Sequence, residues 1–432
     1  MQLREKITLL INKFSYARKE DTYISYLKRK HSDSFHEKGF PSSINEEWKN
    51  TDIDSIINQD YNVISKSGKI KNIEYRKIKE LTFLKKKKSL ILIFIDGKYN
   101  PDLSYVHAKN IILSNIISLK ENEIKNYYDK LSHQYDAFYT LNTFLSKDGA
   151  YIYIPNNIIL DDPIEILHVS TGVKSKIMLN NRNLIVVGEH SYVKIIEHYK
   201  CLKKHLAFIN SVSEIYAMNH SIIDYYKMQN DLEETSVVDN TFFQQKKNSK
   251  CTVYTLSFKG NFIRNNLKFY SVGEKTYSYL YGISLLSGKQ FVDHHTYIKH
   301  LFSNSYSFQW YKNILCEKSR GIFNGRININ ESIKNINAFQ KNQNILLSDE
   351  AYIYAKPQLE IYSESVKCSH GCTVGNIQES ELFYLQSRGI PEKKAKILLL
   401  LSFLEEMLVS IHIFELKQFI YKKMKEKLVK HL

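Results

Sequence analysis

At 432 residues, with 43% hydrophobic and 25% charged side chains, the chain can bury a large core and has the make-up of a folded globular protein of two or three structural units. A formal net charge of +16 points first to a polyanionic partner, yet lysine far outnumbers arginine, asparagine, isoleucine and tyrosine abound, and glycine (15) and proline (6) are scarce. An AT-rich coding sequence imposes that bias on surface positions, and nucleic-acid readers favour arginine for bidentate contacts, so nucleic acid is set aside as a partner.

Along the chain, the first segment carries an acid at Glu5 and leads to no long apolar region, which argues against a signal peptide. Leu3, Ile7, Leu10 and Phe14 recur at helical spacing and predict a helix. The polar stretch 31–50, with Pro41, Ser42 and Ser43, reads as loop or short helices. Four lysines at 85–88 read as a solvated turn before Leu90–Ile95, a buried strand closed by Asp96 and Gly97. From Tyr151 the texture changes. Short apolar bursts at 151–154, 164–167, 184–187, 193–196, 253–258, 267–272 and 277–283 are separated by polar turns. Many short strands mean a sandwich, a barrel or a stacked solenoid, and no clean repeat period chooses among them.

After Pro391, which suits a first helical turn, Ile397, Leu398, Leu401, Leu404, Met407 and Leu408 form an apolar stripe. Residues 411–432 continue as a lysine-rich amphipathic segment, expected to pack on the core or a protein partner rather than on a membrane. The densest apolar run, 397–401, falls far short of the ~20 residues that cross a bilayer. Three units are expected: a helical region 1–88, a β core 89–385 and a C-terminal helical region 386–432.

The stretch 366–375, VKCSHGCTVG, sets two thiols and an imidazole within five residues, Cys368-Ser369-His370-Gly371-Cys372. Soft sulfur and nitrogen donors suit iron, zinc or an iron–sulfur cluster better than magnesium or calcium. The glycines here would allow a tight turn, and residues 382–391 read as a strand-to-helix junction. Free cysteines are also common as small buried hydrophobes, so both readings stay open. Cys201, Cys251, Cys316, Cys368 and Cys372 are too few and odd in number for a disulfide framework, which suggests a reducing cytoplasm. Asp293-His294-His295 is assigned to structure, because adjacent strand residues point to opposite faces. No phosphate-cradling glycine loop and no nucleophile elbow occurs.

KCSHG-x-TVG from Lys367, followed by FYL-x-SRGIP from Phe383, resembles the C-terminal signature of the SufD family, a subunit of the Suf iron–sulfur cluster assembly machinery. Other segments agree in order. Pro41 with Glu46-Glu47-Trp48-Lys49 and Thr51 is similar to the family's N-terminal element. Leu141-Asn142-Thr143, Asp148-Gly149-Ala150 and 182–189 resemble its LNT, DGA and RNLIVVGE segments. Asp293-His294-His295-Thr296, 320–325, Gln340, Asn344, 346–349 and 357–361 follow. The likeness spans roughly 39–408.

The resemblance implies a mainly β protein, a right-handed parallel β-helix flanked by N- and C-terminal helical regions. It implies a non-catalytic scaffold paired with SufB at the terminal rung and with the ATPase SufC through the helices after Pro391. A second copy of the chain is the alternative partner in isolation. Arg388, Gly389, Pro391, Phe403, Leu404 and Glu405 would bind partners. His370 and Cys368 would hold iron or a nascent cluster, with a flavin considered only for the whole complex. Cys372 departs from the family's usual alanine, and Glu364-Ser365 from its usual pair of aspartates. SufB's cluster cysteine falls in the segment matching 340–344, which here is Gln-Lys-Asn-Gln-Asn. The rival reading is a β-helix enzyme acting on acidic polysaccharides.

Overall fold

The apolar bursts become two stacked sheets in the computed structural model, which describes residues 1–16, 22–63, 72–84, 89–106, 108, 110–132, 134–230 and 232–432. One sheet runs, in spatial order, Lys98–Tyr99, Leu90–Ile95, Ile164–Ser170, Tyr192–Cys201, Ile222–Gln229, Lys250–Ser257, Tyr277–Leu286, Tyr306–Leu315, Ile336–Leu346 and Val366–Gly375. The other runs Ile112–Asn115, Ala150–Ile154, Lys176–Val187, Leu206–Ala217, Leu232–Gln245, Gly260–Ser271, Phe291–His300, Arg320–Ile329 and Tyr352–Ile361. Successive strands alternate between the sheets and pair in parallel. The exceptions are the antiparallel pairs Leu90–Ile95 with Lys98–Tyr99 and Ile112–Asn115 with Ala150–Ile154. This is a β-solenoid of about eight turns with helices at both ends. The lysine run 85–88 lies outside the described residues.

The turns carry the repeat that composition hides. Asn157, His190, His220, Asn248, Lys275, Asn304 and Asn335 all have positive φ and recur every 27 to 33 residues. Each donates its backbone N–H to a carbonyl of the next turn along the stack: Asn157 to Glu189, His190 to Asn219, His220 to Lys247, Asn248 to Glu274. Asparagine and histidine tolerate this left-handed conformation better than β-branched residues do, which explains the turn composition.

The helices pack at the two ends of the chain's course. α1 (Leu3–Tyr16), α2 (Tyr23–Lys38), α3 (Asp54–Ile57) and α4 (Asn72–Glu80) precede the first strand. α5 (Glu121–Tyr127) and α6 (Ala137–Leu145) interrupt the early rungs. The polar stretch 31–50, expected as loop or short helices, is helical as far as Lys38, where it continues α2: Leu27 and Phe35 are buried, Thr22 caps the N-terminus and Gly39 ends the helix. α7 (Glu379–Ser387), α8 (Glu392–Glu405) and α9 (Phe414–His431) follow the last strand. The buried stripe Leu416, Ile420, Met424 and Leu428 seats α9 on the outer face of the solenoid with Leu256, Ile283 and Ile314. No described helix is long and apolar enough to cross a membrane.

Five of the motif segments are locks that join the helical segments to the strands. Arg182 donates to Glu214 (2.6 Å), to the hydroxyl of Tyr139 and to Thr143, while Glu214 accepts the backbone N–H groups of Asp129, Lys130 and Leu131. Asn142 donates to the carbonyls of Asn181 and Asn210. A Cβ at Gly149 would fall 1.4 Å from the Arg182 carbonyl oxygen, so only glycine fits there. Further along, the Arg264 guanidinium lies 3.8 Å from the Trp48 ring centroid and donates to Asp293 (2.7 Å), which also accepts from Thr51 (2.6 Å). Burial works to raise the Asp293 carboxyl, but Arg264 and His295 beside it hold it well below the usual carboxylate range. His294 points the other way, into the solenoid, against Ser284 and Asn265, and burial pushes it down to about 4, so it is neutral. The expected structural role of Asp293-His294-His295 agrees with this packing.

Candidate functional site at the terminal rung

The motif at 366–375 has no such task. The strand Val366–Gly375 pairs with Ile336–Leu346 on one side, and among the described residues no strand pairs with its other edge. The facing sheet ends likewise at Tyr352–Ile361. Pro357 interrupts the N–H donors of that second edge, so Val366–Gly375 is the better template for an added strand. Around the two edges Tyr352, Tyr354, Ile361, Tyr362 and Val374 are exposed. Gly371 is extended strand with open space at its missing Cβ; the motif forms an edge strand rather than a tight turn.

The pleat puts Cys368, His370 and Cys372 on one face, because side chains two apart share a side. That face is the inner one. Cys368 is half-buried against Ile327, Ile329, Ile336 and Leu359, and its register partner is Ala338. His370 lies in register with Gln340 and Cys372 with Asn342. With no rung beyond them, His370 and Cys372 are exposed. The Cys372 thiol donates to Asn342 Oδ1 (3.5 Å), and Asn344 Nδ2 approaches its sulfur at 3.7 Å. Burial raises both thiols, Cys368 and Cys372, so each is a neutral S–H at neutral pH and would release a proton on binding a metal. Among the described residues no group of three or more histidine, cysteine, aspartate or glutamate side chains is placed to hold a metal ion. Cys368, His370 and Cys372 share one face at the open end of the stack without closing a metal site among the described residues.

Beneath them lies a layer that the motif search did not single out as a unit. Gln309, Asn313, Gln340, Asn342 and Asn344 are buried inside the last rungs. Gln340 donates to Gln309 (3.2 Å), Asn313 to Asn344 (2.7 Å) and Asn344 to Asn342 (2.6 Å). The alternation of amides at 340, 342 and 344 is the signal that would have found it.

The expected partner-binding residues divide. Residues 382–391 are not a strand-to-helix junction: they form most of α7, a corner and the cap of α8, and the strand ends at Gly375. At the corner Arg388, Gly389 (φ +84°) and Pro391 are exposed. No residue of α7 is buried, and Phe383 and Tyr384 are 71% and 62% exposed. Glu405 is exposed as well. Phe403 is half-buried, its ring 4.4 Å from the Lys312 ammonium and its carbonyl accepting from Lys312. Leu404 is fully buried in the chain's own core, so in this conformation it supports α8 from within rather than offering a contact.

Residues 168–403 match the family described as SUF system FeS cluster assembly, SufBD core domain, and residues 11–166 match the SufBD protein N-terminal region. The chain is 26% identical over 405 residues to the iron–sulfur cluster assembly protein SufD of Escherichia coli, covering 92% of each chain. It is 28% identical over 390 residues to an iron–sulfur cluster assembly SufBD family protein of Synechocystis, covering 87% of this chain and 85% of that one. Against the SufD of Bacillus subtilis the identity is 26%, over 68% of this chain and 69% of the relative.

Proposed function

The chain belongs to the SufBD family of iron–sulfur cluster assembly proteins, and we propose that within it the chain is the non-catalytic, SufD-type scaffold. The relatives named SufD support that type, as does the absence of cysteine from 340–344. SufB docks on the terminal rung, its backbone adding to the free edge of Val366–Gly375. His370, with Cys368 beside it, then presents donors to iron from this side, and SufB supplies the thiolate that the half-site lacks. The cluster is cargo, assembled across the junction and passed on. No residue of this chain is assigned to flavin.

SufC engages the exposed corner of α7 and α8 through Arg388, Gly389 and Pro391, with Glu405 and the outer part of Phe403 adjoining, and Leu404 holding α8 in place. The region 386–432 is then the ATPase-binding unit and 89–385 the solenoid core, with 1–88 as the helical cover. Only residues 376–378 separate the docking strand from α7, so movement of the helices by nucleotide reaches that strand directly. A SufB–SufD junction with two states, biased by the nucleotide on SufC, is what this requires. Five free cysteines suit a cytoplasmic setting.

The carrying observation is the unpaired edge with an exposed imidazole on its inner face. Co-expression with SufB and SufC, purification of the complex and assay of iron and sulfide test it. His370→Ala should leave the complex intact and lower its cluster content several-fold. Full cluster formation by that variant removes the ligand role. Failure of the three chains to co-purify removes the scaffold reading.

A further inference from the structure

We propose that the cleft between the N-terminal region and the outer face of the second sheet binds a small molecule bearing several oxyanions, a phosphate ester or a polycarboxylate. The cleft has a volume of about 390 Å³, within the range of small-molecule sites. Its floor is set by strand register. Lys268, Tyr297 and Arg326 lie in one row across three neighbouring strands, with Tyr270 and Lys299 in the next. Glu47, from the segment before α3, and Glu360, from the last strand of the sheet, also line it.

Charge decides the ligand class. The two acids are already engaged, since Arg326 reaches Glu47 at 3.2 Å and Glu360 at 3.4 Å. Among the described residues Lys268 and Lys299 are in ion-pair reach of no carboxylate, although both are half-buried. Lys268 feels Glu47 from beyond ion-pair distance, so three cations, Lys268, Lys299 and Arg326, face two acids, and an anion in the cleft completes the balance. Burial keeps the phenol of Tyr297 protonated, so it adds an O–H donor to the same space. A ligand rich in oxyanions matches the excess of cations in that lining. The cleft reaches the terminal strands only at Glu360 and includes none of Cys368, His370 and Cys372, so this inference is tested independently of the proposed cluster site.

Calorimetric titration of the intact chain with pyrophosphate and, separately, with citrate tests the proposal and tells phosphate from carboxylate. At least one should bind saturably, and Lys268→Gln combined with Lys299→Gln should weaken binding tenfold or more with unchanged thermal unfolding. Lys422→Gln, on the exposed face of α9, should leave it intact. Should the double variant fail to fold, amine labelling of the unaltered protein with and without pyrophosphate or citrate replaces it. Saturating anion should protect both lysines. No saturable binding to either anion, binding retained by the double variant, or unprotected lysines would overturn the proposal.

Discussion

The early and final rungs share one backbone path and are filled differently. Reading one inward column by register, Ile164, Ile195, Tyr225, Val253 and Leu280 give way to Gln309, Gln340 and His370. An apolar column is stable where another rung covers it, and each added layer removes more surface from water. At the end of the stack that logic fails, because the last apolar layer would face solvent until a partner arrives. Amides tolerate both states: they bond one another when covered and water when not. In this column the change of filling coincides with the open end of the stack, where the proposed partner would dock.

Substitutions should separate the two regions sharply. The largest loss is expected at the Arg264 lock. Asp293→Ala leaves a buried guanidinium without its carboxylate, and removing one partner of such a pair costs about 3–5 kcal/mol. Denaturant unfolding should show it as a lower midpoint. Next, Leu280→Ala in the covered column should cost about 2–5 kcal/mol through lost burial and a residual cavity. Gln340→Leu, two rungs on in the same column, should stay within about 1 kcal/mol, since Gln309 keeps Thr296 as a donor. Equal losses at 280 and 340 would dissolve the distinction between covered and open rungs.

A smaller, pH-dependent effect belongs to α9. Burial pushes Lys427 down to about 7 from its usual 10.5, opposed only partly by Cys316 and Glu317, with Lys259 and Lys430 adding to the depression. Its ammonium donates to the Phe258 carbonyl and to Gln290, with no carboxylate bound directly. Between about pH 7 and 10.5 the unfolded chain holds a proton that the folded chain has released, so this group makes stability rise with pH across that window. Below pH 7 its full cost is present. Lys427→Met should raise the melting temperature at pH 7 and remove this part of the pH dependence, as scanning calorimetry at pH 7 and 9 would show.

Much of the solenoid was legible in the apolar bursts, since Leu90–Ile95 and the runs from 151 onward all became strands. The stacking itself was not, because the repeat is written in backbone conformation. Asn157, His190, Lys275 and their counterparts share a positive φ but no single residue type. The helix over 31–38 was obscured because its exposed face is rich in Lys, Asp, Glu and His, while Phe35 alone in that stretch signals apolar packing. At the terminal rung the soft donors were visible in Cys368-Ser369-His370-Gly371-Cys372, and their openness was not. Exposure depends on there being no further rung, a fact of topology rather than of local spacing. Leu404 shows the converse: an apolar residue on a helix proposed to bind a partner is as readily its internal support.

The smallest expected change in stability is also the one that best separates folding from function. His370 bonds to no neighbouring rung above it and is exposed, so His370→Ala should alter unfolding by no more than about 0.5 kcal/mol. Cys372→Ala should be equally quiet, losing a weak thiol contact to Asn342. Both variants keep the edge N–H and carbonyl groups of Val366–Gly375, so strand addition by a partner is preserved. Iron retained by the assembled complex should then fall for His370→Ala and stay near the parent level for Cys372→Ala. Equal loss in both would move the donor role to the pair, and a marked drop in the melting temperature of either would return the motif to the fold, alongside Asp293 and Arg182.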